Sequence, residues 1–212
     1  MDPARAIAAL ADAGFDIAHG FDAERAAREP GLALLADPAR RAGLLVGNSR
    51  ALWPRFVTAV RRDRALAEDP HPLDRYTERA IADAARELDG RAWLGHRPYG
   101  GGFVPLQRLA AATGLAMLAP TQLAIHPRFG PWFALRAVIV FDGIQPEAPA
   151  LLPPCCCAAP CTDAFTVAMS SKGPEAWRAW LAVRDACPVG RGYRYSDEQV
   201  RYHYTKDRAL LG

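Results

Sequence analysis

The residues of this 212-residue sequence that most clearly suggest chemistry are three arginines, two of which fall on otherwise apolar surfaces. Arg136 is the one charged residue in the run Trp132 to Phe141, which reads W-F-A-L-R-A-V-I-V-F. Arg184 lies seven positions after Trp177, so on a helix it shares the apolar face of that tryptophan. Arg208 follows near the C-terminus. Guanidinium groups in a partly dry pocket bind carboxylates or phosphates, so the chemistry that these residues predict is anion binding.

The charge of Arg136 has two explanations that its surroundings in the sequence leave open. On a strand, the two-residue period places it on the same face as Trp132, Ala134, Val138 and Val140. A guanidinium buried there needs an anionic partner or several acceptors to offset its desolvation. The partner is a carboxylate of the protein, which would form an internal salt bridge, or it is an anionic ligand. Buried arginines are more often paired within the protein, which favours the salt bridge.

The five cysteines form a second group of interest, because four of them crowd into seven residues. They are Cys155, Cys156, Cys157, Cys161 and, further along, Cys187. Their spacing matches neither the C-x-x-C pairs of zinc ribbons nor the ferredoxin run, and three consecutive cysteines cannot all face one ion on a regular backbone. We therefore expect thiols at the solvent edge rather than a metal centre, although the sequence leaves metal binding open. The crowding suits a disulfide framework poorly and predicts a reducing cytoplasm.

Composition argues against two classes of partner. The 26 basic residues are nearly matched by 23 acidic ones, giving a net charge of +3, and they are scattered along the chain. We therefore expect no nucleic-acid partner and no polybasic membrane patch. No uncharged apolar segment approaches 18 residues, and the stretch from Met1 to Gly14 lacks the features of a secretory signal. The sequence thus predicts a cytoplasmic protein without a membrane partner.

The elements that must position the arginines alternate between helices and strands around one apolar core strand. Periodicity, caps and breakers predict helices that open at Pro3, near Arg50 (capped by Asn48 or Ser49), after the break at Asp69–Asp74, at Pro105, at Pro174 and after Ser196. They predict strands at Gly43–Val46, Ala92–Leu94 and Trp132–Phe141, with Gln122–Ile125 pairing with the last of these through the turn at residues 126–131. This alternation argues for an α+β or α/β sandwich.

The string from Ile125 to Arg136, I-H-P-R-F-G-P-W-F-A-L-R, resembles the CblC family of cobalamin-processing proteins, the methylmalonic aciduria and homocystinuria type C family. The resemblance continues in R-D-A from Arg184, in R-Y-S-D-E-Q from Arg194 and in R-A-L-L-G from Arg208. The resemblance is strong over roughly residues 122–144 and 177–212. Before them, only the general residue pattern is similar. The string ending at Arg136 is the most specific part.

The resemblance implies both a fold and an activity. The implied fold is α+β, a nitroreductase-like sandwich with a mostly antiparallel central sheet flanked by helices. It implies a single domain over residues 1–212, in which residues 145–212 form a cysteine-containing and helical extension. The implied enzyme removes the upper axial ligand of cobalamin, as a cyanocobalamin reductase or alkylcobalamin dealkylase. Its ligands would be cobalamin, glutathione or another thiol, and FMN or FAD, with a homodimer left open.

Residue by residue, the resemblance implies that Arg136, Arg184 and Arg208 bind glutathione, which favours the ligand explanation for Arg136. It implies cobalamin contacts from Gly114, Ile125, His126, Pro127, Phe129 and Trp132. It implies no particular catalytic residue, because the protein's task is to hold two reactants at attack distance in a shielded cavity. The family's His-x-x-Gly is reduced here to Gly114, with Ala111 in the histidine position, which puts a histidine contact to the corrinoid in doubt.

Two other functions remain open at this point. The protein could be a cobalamin carrier without turnover of its own. It could also be a flavin or iron–sulfur reductase related to epoxyqueuosine reductase, whose catalytic domain is CblC-like and whose iron–sulfur module the cysteine cluster faintly resembles.

Overall fold

The structure is a computed structural model that describes residues 2–144, 152–155 and 159–212. Its helices are α1 (Pro3–Asp12), α2 (Ala23–Ala26), α3 (Leu52–Arg62), α4 (Arg64–Glu68), α5 (Pro72–Glu87), α6 (Leu106–Ala112), α7 (Ala159–Ser170), α8 (Trp177–Asp185) and α9 (Asp197–Thr205). Its strands are β1 (Ile17–Asp22), β2 (Ala42–Asn48), β3 (Arg91–Leu94), β4 (Pro98–Tyr99), β5 (Gly102–Phe103), β6 (Met117–Leu118), β7 (Ala124–Ile125) and β8 (Ala134–Phe141). Short 3₁₀ turns occupy Ala33–Leu35, Arg191–Tyr193 and Arg208–Leu211.

Within the described residues, four strands form an antiparallel sheet in the order β1-β2-β8-β3. The predicted central strand is confirmed, since β8 lies between β2 and β3 and Ala137 to Val140 are fully buried. Apolar clusters cover both faces of the sheet. One contains residues of α1, α3 and α5, and the other contains residues of α6. The α+β class with an antiparallel sheet is therefore confirmed, whereas the nitroreductase-like assignment stays a prediction.

A β-bulge at Arg136 changes the predicted face of this residue. Val46 of β2 pairs with Ala137, but the next residue, Gly47, pairs with Leu135, so Arg136 is an extra residue opposite Val46. The bulge interrupts the alternation of side chains along β8. Leu135 packs with the cluster that contains Val138 and Val140, whereas Arg136 shares a cavity with Tyr202 of the opposite cluster. The expectation that Arg136 lies on the face of Val138 and Val140 was therefore wrong.

The turn that precedes β8 also differs from its prediction. β7 pairs with β6, with Ile125 opposite Met117, and not with the central strand. The turn is closed instead by backbone hydrogen bonds in both directions between His126 and Gly130, of 2.9 and 2.8 Å. After it the buried residues Pro131 to Phe133 pass into the core before β8 begins, which separates β7 from β8.

Most helix starts are close to their predictions, with two corrections. Ser196 caps α9 by accepting a hydrogen bond from the amide of Gln199 at 3.2 Å, as its capping-box pattern predicted. However, α3 begins at Leu52 with Ala51 as its N-cap residue, and the predicted Ser49 serves the turn just before it, where its Oγ accepts a hydrogen bond from the amide of Ala51 at 3.2 Å. The helix predicted to open at Pro174 begins at Trp177. Among the described helices, none combines the length and the apolarity needed to cross a bilayer.

The turn before β8 and the C-terminal segment cross in close contact at two glycines, Gly130 and Gly190. Gly130 has a φ of +57°, and a Cβ atom added to it would lie 1.9 Å from the carbonyl oxygen of Val189. A Cβ atom on Gly190, whose φ is +70°, would lie 2.1 Å from the carbonyl carbon of Phe129. Neither residue can carry a side chain without moving the opposite backbone.

We therefore expect Gly130→Ala to lower the free energy of unfolding by about 3 kcal/mol or more, because backbone strain and a backbone clash act together. Gly173→Ala is the matched control. Its φ is +88°, but no described atom lies within 4 Å of the added Cβ, so only the strain of about 1–2 kcal/mol applies. Urea unfolding of the two variants measures the difference. If both variants lost the same free energy of unfolding, the close contact between the turns at Gly130 and Gly190 would be contradicted.

Candidate functional site

The guanidinium of Arg136 is held by a chain of hydrogen bonds from the end of β2. Its Nε donates to Oδ1 of Asn48 at 2.7 Å, and Nδ2 of Asn48 donates to the carbonyl oxygen of Ser49 at 2.8 Å. The amide and the Oγ of Ser49 donate to the two carboxylate oxygens of Asp16, at 2.7 and 2.6 Å. Asn48 and Ser49 are buried at 1% and 3% exposure. The chain therefore fixes Nε of Arg136 and turns its two terminal amino groups away from Asn48.

In the described part of the chain, Arg136 forms no ion pair with a carboxylate within 4.0 Å. Burial lowers its pKa, and the charge of Asp74, together with Tyr195 and Tyr202, only partly opposes this effect. Its terminal amino groups also have no hydrogen-bond partner among the described residues. The internal salt bridge that was one explanation of Arg136 is thus not formed in the described structure.

Arg136 lines a small cavity of about 70 Å³ that is rich in positive charge. Lys206 and Arg208 also line it, and Asp74 is the one carboxylate among its described lining residues. Arg208 is already engaged: it donates to the carbonyl oxygen of Asp69 at 2.8 Å and to that of Ala67, at the C-terminal end of α4. The structure therefore brings Arg136 and Arg208 together, and it assigns Arg208 an anchoring contact as well.

Arg184 lines a different, larger cavity of about 490 Å³. Its guanidinium carbon lies 6.0 Å from the ring centre of the buried Trp132, and within the described chain it forms neither an ion pair nor a hydrogen bond. Leu135 lines this cavity whereas the next residue, Arg136, lines the small one, so the two cavities open on opposite sides of β8. The large cavity is lined by Gly95, Val104 to Arg108, Leu118, Gln122 to Ala124, Pro131, Phe133 to Leu135 and Arg184.

The charges of Arg136 and Arg184 nevertheless both act on His203. Burial, followed by the charges of Arg184, Lys206 and Arg136, lowers the pKa of His203 to about 3. His203 is therefore a neutral imidazole at pH 7. The small cavity favours bound negative charge, because Arg136, Lys206 and Arg208 outnumber Asp74 among its described lining residues.

None of the six predicted cobalamin contacts is among the residues that line the large cavity. Ile125, Phe129 and Trp132 are buried at 2%, 7% and 1% exposure, His126 is half-buried and Pro127 is exposed. Their neighbours Ala124, Pro131 and Phe133 line the cavity instead. Gly114 ends α6 with a φ of +75°. Contact of these six residues with cobalamin stays a prediction.

An imidazole approaches Gly114 although position 111 is an alanine. Nε2 of His19, on β1, lies 2.8 Å from the carbonyl oxygen of Thr113, the residue before Gly114. His126 is close enough for the charge of His19 to lower its pKa. A histidine is thus present beside this turn, supplied by a strand that is distant in the sequence.

The described cysteines differ from the expectation of solvent-edge thiols. Cys161 and Cys187 are buried at 5% and 4% exposure, and Cys155 is half-buried. Cys187 belongs to an apolar cluster with Ile125, against which Cys155 packs. Cys156 and Cys157 lie outside the described residues. Among the residues that are described, no group of three or more histidine, cysteine or acidic side chains is placed to hold a metal ion.

Sequence reasoning missed Asn48, Lys206 and His19 as parts of this site. Asn48 looked like a helix cap because it precedes a helix, and Lys206 and His19 have ordinary neighbours in the sequence. A buried polar residue at the end of an apolar strand is the signal that could have identified Asn48.

His126 generates a prediction about pH. Its Nδ1 accepts the backbone N–H groups of Arg128 and Phe129 at 3.0 and 3.3 Å, so its proton resides on Nε2. Burial, followed by the charges of His19 and Arg128, lowers its pKa to about 4, against the opposing charge of Asp16. The unfolded chain, with a histidine pKa near 6.5, therefore binds more protons than the folded one between about pH 6.5 and pH 4.

Stability should consequently fall as the pH falls through this window. The contribution of His126 is on the order of 2 kcal/mol between pH 7 and pH 4. His126→Asn removes the titrating ring while offering an oxygen to the same two N–H groups, so its stability should decline less steeply. Urea unfolding at a series of pH values checks this, and parallel curves for the two proteins would show that His126 does not titrate with folding.

Comparison with known proteins adds independent information on the same region. Residues 119–211 match the sequence model of the methylmalonic aciduria and homocystinuria type C family, MMACHC. Over 94 residues the chain is 40% identical to the human cyanocobalamin reductase / alkylcobalamin dealkylase, which covers 42% of this chain and 31% of the human protein. The mouse protein of the same name gives 40% identity over 94 residues, 42% of this chain and 32% of that protein. The match thus spans about a third of the length of these relatives.

The structure is similar to the crystal structure of a C. elegans B12-trafficking protein CblC, a homologue of human MMACHC, with a TM-score of 0.71. The similarity covers 99% of this chain and 95% of that one at 16% sequence identity, so it shows the fold. The resemblance noted in the sequence is therefore confirmed: residues 119–211 have the sequence pattern of the methylmalonic aciduria and homocystinuria type C family, on a chain with the fold of a CblC protein.

Proposed function

We propose that this protein is a cobalamin-processing enzyme that removes the upper axial ligand of cobalamin. Two relatives that share the matched region are named cyanocobalamin reductase / alkylcobalamin dealkylase. The observation that carries the proposal is the state of Arg136 and Arg184. Both belong to the family-like part of the sequence, and in the described structure neither guanidinium is neutralised by a carboxylate within 4.0 Å.

Glutathione is the thiol that these arginines fit. It carries two carboxylates, and a guanidinium binds a carboxylate through paired N–H donors. Cations close to a thiol lower its pKa and favour the nucleophilic thiolate. Arg136, Arg184 and Lys206 would therefore bind the peptide and also favour its reactive form.

The proposed dealkylation is a displacement at the carbon bound to cobalt. The glutathione sulfur donates an electron pair to this carbon, the carbon–sulfur bond forms, and the carbon–cobalt bond breaks. Both electrons of the broken bond stay with cobalt, so the products are an S-alkyl glutathione and cob(I)alamin. The protein's contribution is to hold the two reactants in contact and to shield them from water. The large cavity beside Arg184 lies within the usual range of ligand pockets, and we assign it to part of the corrinoid.

Reductive removal of cyanide is included in the proposal because the matched relatives are also named reductases. A bound flavin would supply the electrons. Titration of the purified protein with FMN and with FAD would show which flavin it binds.

The function is tested by mixing the purified protein with methylcobalamin and glutathione in the dark and following the visible spectrum. An enzyme converts the spectrum faster than a protein-free control. A protein that shifts cobalamin to its base-off spectrum and then stays inert to glutathione and to reduced flavin would be a carrier instead. A protein that causes neither change would contradict both functions.

Arg136→Gln tests the role of the first arginine. We expect the KM for glutathione to rise on the order of ten- to a hundredfold, because one charge-assisted contact of about 1.5–3 kcal/mol is lost. Cobalamin binding should hardly change. Stability should fall by about 1–3 kcal/mol, because the buried Oδ1 of Asn48 loses its donor. This is less than the roughly 3–5 kcal/mol expected when a buried ion pair is broken.

The control is Arg178→Gln, which removes an exposed arginine that pairs with Glu175. It should alter neither the KM for glutathione nor cobalamin binding. If Arg136→Gln instead melts many degrees lower while its folded fraction binds glutathione normally, the charge of Arg136 has a structural role and the assignment fails.

A further inference from the structure

Gln122 has a backbone conformation that strains a residue with a side chain. Its φ is +63°, in the left-handed region. A Cβ atom comes too close to the following carbonyl oxygen in this region, and glutamine lacks the short polar side chain that lets asparagine and aspartate visit it more often. The residue is exposed, so burial of its side chain does not offset the strain. The choice of glutamine at this position therefore requires an explanation.

The connection between β6 and β7 imposes the left-handed conformation. The amide of Gln122 donates to the carbonyl oxygen of Ala119 at 2.9 Å, and the amide of Ala119 donates to the carbonyl oxygen of Leu123 at 2.9 Å. These bonds close a three-residue loop whose last residue is left-handed, a position that glycine usually fills. Glycine would form the same turn without strain, so the turn alone does not account for a glutamine.

The side chain of a glutamine places a carboxamide at the large cavity. Gln122 lines this cavity together with Gln107 of α6, and neither side-chain amide has a hydrogen-bond partner among the described residues. The other polar residues of the wall are Arg108, which donates to the carbonyl oxygen of Pro30 at 2.8 Å, and Arg184. No acidic residue is among the described residues that line the cavity.

A carboxamide is suited to one kind of partner in particular. It donates through its NH₂ group and accepts through its oxygen, so it forms two hydrogen bonds at once with another primary amide. An ester offers only an acceptor. The corrin ring carries primary carboxamides along its periphery, and the large cavity is the one assigned above to part of the corrinoid.

We propose that Gln122 is a binding residue for the corrinoid, and that its side-chain amide pairs with a peripheral carboxamide of the ring. The inference rests on the proposed function and deepens it by specifying the chemical group that is recognised. The pairing makes the site selective for corrinoids with amide side chains over corrinoids with ester side chains. The strain of the turn is retained because glycine would leave this carboxamide out.

Gln122→Gly tests the inference, because it removes the carboxamide and the backbone strain together. The melting temperature should rise by about 2–4 °C. The Kd for hydroxocobalamin, measured from the visible spectrum, should increase about tenfold, which corresponds to about 1.4 kcal/mol. The Kd for cobinamide, which keeps the carboxamides and lacks the nucleotide tail, should increase by the same factor.

Heptamethyl cobyrinate, in which methyl esters replace the carboxamides, is the ligand control. Its Kd should differ between the wild type and Gln122→Gly by less than about twofold, because the ester cannot form the paired hydrogen bonds.

Two further variants separate the side chain from the backbone. Gln122→Asn keeps a carboxamide on a residue that tolerates the left-handed region, so its melting temperature should also rise and its Kd for hydroxocobalamin should stay within about threefold of the wild type. Asp89→Gly is the matched control. Asp89 has a φ of +46° at the end of α5 and is not among the residues that line either cavity. Its replacement should raise the melting temperature and leave every corrinoid Kd unchanged.

The possible failures are distinguishable. If the wild-type protein binds and dealkylates methylcobalamin and Gln122→Gly has the same Kd for hydroxocobalamin, the inference is wrong and the proposed function stands. If Gln122→Gly loses as much affinity for the ester analogue, or Gln122→Asn loses as much as Gln122→Gly, the carboxamide is not what recognises the ring. If the melting temperature of Gln122→Gly falls, the glutamine stabilises the turn, and the inference loses its basis. A wild-type protein that binds no corrinoid contradicts the inference and the proposed function together.

Discussion

The burial of one guanidinium, that of Arg136, is the constraint on which the site depends. The side chain of Arg136 is half-buried, so its charge loses part of its hydration, and this loss must be offset by hydrogen bonds or by an opposite charge. The described structure provides the offset only in part, through the bond from Nε to Asn48. The remaining donors of Arg136 stay available, which is the physical basis for regarding this position as an anion site.

The sheet supports this arrangement through the bulge in β8. Without the extra residue, Arg136 would follow the alternation of the strand and lie in the apolar cluster of Val138 and Val140. The bulge shifts it to the side of Tyr202 and Lys206. A local irregularity of one residue thus separates an apolar core from a charged cavity, as bulges near functional sites commonly do.

A second constraint links the motif before β8 to the C-terminal segment. The turns at Gly130 and Gly190 cross so closely that each excludes a side chain on the other. This contact fixes the segment that follows Val189 and includes Tyr195, relative to the start of β8. The start of β8 and the C-terminal segment are therefore packed against each other at this crossing.

From the sequence alone the unusual arginines, the apolar central strand and the family resemblance could be recognised, because residue type and short-range spacing carry these signals. The tertiary structure decided what surrounds the arginines. Asn48 lies 88 residues from Arg136 in the chain, and the register that creates the bulge is a property of two paired strands. Such contacts are set by long-range packing, so no local pattern could have revealed that, among the described residues, Arg136 has no carboxylate partner.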